Sequence, residues 1–125
     1  MEKFDQFHDG YIDGLLIQGA NVRVFLSTED RQEFVLEVSG VASLKVDGFR
    51  QGNIIFDVLI RKGDYITIHD IVNVFEFKDE AKALRELEET RRMNRIVLEI
   101  NPSYGASCIV LAESVELLPR LRTYP

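Results

Sequence analysis

From Tyr11 to Ile60 the large apolar side chains recur at every second position. That is the period of a strand with one face turned from water, and it excludes helix for most of the stretch. Val22, Val24 and Leu26 alternate with Arg23 and Ser27, and Phe34, Leu36 and Val38 alternate with Glu33, Glu37 and Ser39. The polar Thr28-Glu29-Asp30-Arg31 between them has the length of an antiparallel hairpin connection. Gly19-Ala20-Asn21 offers a similar reversal after a strand from Tyr11 to Gln18. Beyond Gly40 the rhythm continues through Ala42, Leu44 and Val46, so Gly40 marks either a tight turn or a bulge in one long bent strand. Asp47-Gly48 and Gln51-Gly52-Asn53 then reverse the chain and leave Phe49 as the apolar residue of the loop. Ile54, Phe56, Val58 and Ile60 are expected to line the core, while Ile55 and Leu59 on the opposite face mark a central strand.

After Lys62-Gly63-Asp64 the pattern loosens, and Tyr65 to Phe77 reads as extended chain. Asp79 has the character of an N-cap for a helix from Glu80 to Met93. Ala81, Leu84 and Leu87 form its narrow apolar stripe, Glu88 and Arg92 sit in the favourable order for an ion pair, and Asn94 can close it in a left-handed conformation. Ile96, Leu98 and Ile100 resume the strand period, Asn101 to Gly105 is a turn, and Ser107 to Leu118 supplies one or two more strands. With 125 residues and no linker or repeat, residues 1–125 are expected to form a single domain. The fold class predicted is mainly β (α+β): an antiparallel sheet curled into a sandwich or partial barrel, with one amphipathic helix near residues 80–93.

Charge and cysteine content narrow the setting. A net charge of -6 argues against nucleic acid, which demands a concentrated basic patch, and suits a basic protein partner, although it also serves simple solubility. No apolar run approaches the ~20 residues of a membrane helix. Acids in the first residues do not fit a secretory signal, and the single Cys108 excludes an internal disulfide framework, so a cytoplasmic location is expected.

Two His-Asp dipeptides, His8-Asp9 and His69-Asp70, are the residue types that hold divalent metals in hydrolases. With Asp13 they would make a metal or catalytic site only if they converged in space. The structural alternative is capping and turn hydrogen bonding by Asp9 and Asp70, with the histidines partly exposed. Cys108 lies in the apolar run Cys108-Ile109-Val110 and reads as a small buried hydrophobe rather than a nucleophile. No Gly-x-Ser-x-Gly elbow is present, and Gly48-Phe49-Arg50-Gln51-Gly52 lacks both nucleotide-binding signatures and reads as a turn. Arg91, Arg92 and Arg95 suit the negative end of the helix dipole, and Arg120 to Pro125 reads as a tail that could dock on a partner. These residues imply no cofactor and no catalytic set.

Phe7-His8-Asp9-Gly10 followed by the strand Tyr11 to Gln18, then Ser39-Gly40-Val41 and Phe49-Arg50-Gln51-Gly52-Asn53-Ile54-Ile55, resemble a set of small uncharacterised bacterial proteins that open with a Phe-His-Asp motif. Some members look like immunity proteins, which bind and block a bacterial toxin. The resemblance spans about the first half of the chain and makes Phe7, His8, Asp9, Phe49, Gly52 and Asn53 family positions, none with a catalytic role. It implies a noncatalytic protein-binding module. His8, Asp9, Asp13, Phe49, Asn53, His69 and Asp70 are therefore the candidate partner- or ligand-binding residues. The competing expectation is a small metal-binding enzyme, or a β domain binding a small ligand, that uses the His-Asp pairs. Association of identical copies is also open, through apolar residues such as Ile55, Leu59 and Val97 if no helix covers them.

Overall fold

A computed structural model describes residues 1–120, and within them nine strands form one antiparallel sheet. The strands are β1 (Glu2–Lys3), β2 (Tyr11–Gln18), β3 (Asn21–Ser27), β4 (Glu33–Ser39), β5 (Ser43–Asp47), β6 (Asn53–Lys62), β7 (Ile96–Tyr104), β8 (Ser107–Ala112) and β9 (Ser114–Pro119). Their order is β5-β8-β7-β6-β2-β3-β4-β9, with β1 paired to β6. Two helices, α1 (Ile68–Phe75) and α2 (Glu80–Arg92), connect β6 to β7. The sheet is not closed into a barrel. Among the described residues no helix is long and apolar enough to cross a membrane. Of the tail expected from Arg120, residues 121–125 lie outside the described residues.

The sheet folds over because its strands cannot stay paired along their whole length. β2 meets β6 only at Tyr11↔Ile54 and Ile12↔Asn53, after which they diverge. At the other side, β4 passes to β5 and β8 passes to β9 through short bends that bridge the two halves. There the Glu113 amide donates to the Ser39 carbonyl at 3.0 Å, and the Ala42 amide to the Leu111 carbonyl at 2.8 Å. Gly40 makes this bend at φ 64° with its Cα against the Glu113 side chain, a place where a β-carbon would collide. Gly40 thus lies in a break between two separate strands, β4 pairing with β3 and β9 and β5 with β8, rather than in a hairpin turn or a bulge within one strand. Between the halves lies the main core, with Val22, Val24, Leu26, Leu36, Val38, Val58, Leu98 and Val110 among its buried members. Each such side chain contributes about 1.5 to 3 kcal/mol of burial before entropy is counted.

The alternation fails at one place in β6. Of the core face expected in β6, Val58 and Ile60 are buried, but Phe56 is 53% exposed and Ile54 lies outside the core, while Ile55 is buried between the sheet halves. The register to β7 slips there: Ile55 faces Pro102 and Asp57 faces Asn101, leaving Phe56 as the extra residue of a bulge. Pro102 has no N–H to give the ladder, and the inserted residue flips the parity of everything before it.

The expectation of extended chain over residues 65–77 fails for most of them, since Ile68–Phe75 is helical and only Ile66 and Thr67 before it are extended. The Thr67 hydroxyl accepts from the Asp70 amide at 3.3 Å, and the Asp70 carboxylate accepts from the Thr67 amide at 3.0 Å, a capping box that starts α1. Ile66, Ile71 and Val74 then bury with Ala83 and Leu87 of α2 against Val97, Ile109 and Leu111 on the outer face of β7 and β8. The fold therefore carries two helices rather than one, and they cover Val97. Asp79 caps α2 by accepting from the Ala81 and Lys82 amides, and Asn94 follows the helix at φ 54°, both as expected. The apolar stripe is rotated: Ala83, Leu87 and Thr90 are buried, Leu84 is exposed, and Arg92 pairs with Glu89 rather than Glu88.

Candidate functional site

Five of the seven candidate residues come together at one end of the sandwich, around the start of β6. A short 3-10 turn, Asp5–Phe7, seats the Phe7 ring in the core, edge-on to Phe34 at 5.4 Å. The chain then reverses through Asp9, at φ 62°, whose amide donates to the Ile55 carbonyl at 2.9 Å. His8 is left half-exposed above β6, with Nδ1 2.9 Å from the Phe56 carbonyl oxygen, its ring edge-on to Phe56, and Nε2 3.6 Å from the Asp9 carboxylate. The bulge of β6 thus presents Phe56 to His8. Gly10 follows because any side chain would strike the Ser27 backbone carbonyl.

Asp13 occupies a second irregularity, where the β2–β3 register shifts between Ile12 and Gly14. Its carboxylate lies 3.4 Å from Arg31, whose guanidinium stacks 3.7 Å from the centre of the Tyr11 ring. Phe49 stands out from the loop before β6 at 49% exposure, and the neighbouring Arg50 guanidinium lies 5.9 Å from the Tyr104 ring. Tyr104 is itself 52% exposed. Asn53 is the residue beneath this loop and is turned inward. Its Oδ1 accepts from the Arg50 amide at 2.7 Å and the Ala106 amide at 3.0 Å, and its Nδ2 donates to the Arg50 carbonyl at 2.5 Å. Asn53 is 2% exposed, and both polar atoms of its side chain bond the surrounding backbone, so it positions the loop.

His69 and Asp70 do not join this end. His69 is exposed on the first turn of α1. Asp70 is buried, caps the helix and holds Arg61 through two hydrogen bonds at 2.6 and 3.3 Å. Arg61 stands five residues along β6 from Phe56, roughly 16 Å at ~3.3 Å per residue, so the two His-Asp pairs are kept apart by the length of the strand. The capping role of Asp70 agrees with the structural reading of the sequence. Arg61 also donates to Glu99 at 3.0 Å, and Asn101 bridges Glu99 to Asp57 at 3.2 and 2.7 Å. Burial works against the Arg61 charge, yet the carboxylates of Asp70 and Glu99 outweigh it and hold its pKa above the ordinary value. Among the described residues no three His, Cys, Asp or Glu side chains are grouped so as to hold a metal ion. Cys108 is buried, and desolvation pushes its thiol up to about 12, the behaviour of a packed, unreactive side chain.

Three clefts open around the assembled end. One of about 600 Å³ is lined by Gln6, His8, Thr28, Glu29, Asp30 and Gln32, and one of about 350 Å³ runs between Lys3, Asp5, His8 and Phe56. A third, about 420 Å³, lies between Tyr11, Asp13, Arg31, Phe49, Arg50 and Gly52. Another cleft of about 600 Å³ lies among Ile60, Lys62, Ile96, Glu113 and Val115 and involves neither His-Asp pair. Tyr11, Arg31, Arg50 and Tyr104 were not singled out from the sequence. Nothing in their spacing marks them, because each cation reaches its ring across a strand or loop boundary. No protein-family model, curated protein or solved structure matches the chain.

Proposed function

We propose that the chain is a noncatalytic protein-binding module whose contact surface is the end built around His8, Phe49, Phe56 and Tyr104, and that its biological role is that of an immunity-type inhibitor. The observation that carries this reading is the set of half-exposed aromatic rings at one end, each held by internal structure. Phe56 is thrust out by a bulge, Phe49 stands on a loop pinned by Asn53, and Tyr104 pairs with Ile54 beside it. Rigid aromatic and arginine side chains supply most of the energy at protein interfaces because they bury much area at little entropic cost. Acids at the same end, among them Asp5, Asp9, Glu29 and Asp30, together with the net charge of -6, favour a partner with a basic face and speed its approach.

The test is a pull-down of the product of the neighbouring gene, followed by titration calorimetry with Phe56→Ala and Tyr104→Ala. Capture by the wild type, with a loss of at least about 2 kcal/mol in one aromatic variant, is the expected outcome. Failure to bind that product defeats the toxin version, and wild-type affinity in both variants defeats the placement of the surface.

A further inference from the structure

We infer that the cleft between Tyr11, Arg31, Phe49 and Arg50 is a binding site for a small oxyanion, a carboxylate or phosphate, carried on a flat apolar body. The first argument is one of sign. In a chain with 21 acids and 15 bases, this cleft of about 420 Å³ is lined by two arginines and the single carboxylate of Asp13. Asp13 takes only one contact from Arg31, at 3.4 Å, which leaves most of that guanidinium's donors uncommitted. Among the described residues no carboxylate pairs with Arg50, whose guanidinium approaches only the Tyr104 ring. A planar fork with several free N–H groups matches the two oxygens of a carboxylate or phosphate.

The second argument is preorganisation. The Arg31 guanidinium carbon lies 3.7 Å from the centre of the Tyr11 ring and one of its nitrogens 3.4 Å from Asp13, so it loses less freedom on binding than a free side chain. The Arg50 backbone is gripped on both its N–H and its carbonyl by the buried Asn53 side chain. Gly52, at φ 79°, has open space where a β-carbon would stand, so a ligand can approach the loop backbone closely. Tyr11 and Phe49 supply apolar walls for the body of the ligand. The cleft shares Phe49 with the proposed protein-contact surface, but the inference requires only the cleft and its two cations, whatever partner that surface takes.

The site is tested on the full chain by ¹⁵N NMR titration with phenyl phosphate and, in parallel, with benzoate. The expected result is a saturable shift of the Arg50 Nε–H and the Gln51 and Gly52 amides, with Arg50→Gln weakening binding about tenfold because a charge-assisted hydrogen bond is removed. Arg23→Gln, which removes a surface cation paired with Glu37 at 2.9 Å on β3, leaves the affinity unchanged. The tighter of the two probes identifies the oxyanion. The inference is overturned if neither probe saturates below about 10 mM, the range of weak nonspecific pairing. It is equally overturned if the shifts fall elsewhere, or if Arg23→Gln weakens binding as much as Arg50→Gln.

Discussion

Replacing Asn53 by alanine removes the part on which the assembled end most depends. Asn53 is 2% exposed, and its amide serves three backbone groups at 2.5 to 3.0 Å. Ala106 is buried, so its orphaned N–H would carry a desolvation cost of about 1 to 3 kcal/mol. The Arg50 amide and carbonyl lie in an exposed loop where water can replace the lost partner, and each then costs about 0.5 to 1 kcal/mol. Asn53→Ala should therefore destabilise the fold by roughly 2 to 5 kcal/mol, a large share of the stability of a domain this size. Urea unfolding would show the loss as a lower midpoint at unchanged slope. Native-state hydrogen exchange would show the Ala106 amide and the loop 48–52 losing protection first. A loss under about 0.5 kcal/mol with normal protection at Ala106 would refute the clamp.

Asp70→Ala removes one half of the α1 capping box and one of the two carboxylates that pair with Arg61, and should cost about 2 to 3 kcal/mol by chemical unfolding, against less than about 1 kcal/mol for exposed His69→Ala. Gly10→Ala forces a methyl into the Ser27 carbonyl and should lower the melting temperature well below that of Gly52→Ala, which has open space and carries only a left-handed strain of about 1 to 2 kcal/mol. For Cys108 the native thiol is raised from 9.0 to about 12, so below pH 9 neither state ionises and stability is full. As pH rises between those values the unfolded chain loses its proton first, and stability falls by up to about 1.4 kcal/mol per pH unit. Cys108→Ala should flatten that alkaline slope in a pH series of unfolding curves, and native Cys108 should resist thiol reagents at pH 8.

The two-residue rhythm of Val22, Val24 and Leu26 and of Leu36 and Val38 was enough to determine β3 and β4, because a half-buried strand leaves no other arrangement of such a pattern. The N-cap of α2 at Asp79 and its stop at Asn94 were equally local. Tertiary structure decided the rest. The signal for α1 was present as Thr67 and Asp70, but a helix of eight residues does not hold alone, and this one exists because β7 and β8 offer it an apolar face and Arg61 secures its cap. Phe56 escapes the local pattern because a bulge depends on the partner strand, here on Pro102, about which the periodicity of β6 carries no information. The gathering of His8, Asp9, Asp13, Phe49 and Asn53 follows from β2 meeting β6 across forty residues of intervening chain, and the separation of His69 follows from the length of β6. Periodicity reports which way a side chain faces within its own strand; which strands meet, and so which side chains share a surface, is settled only by how the sheet closes on its core.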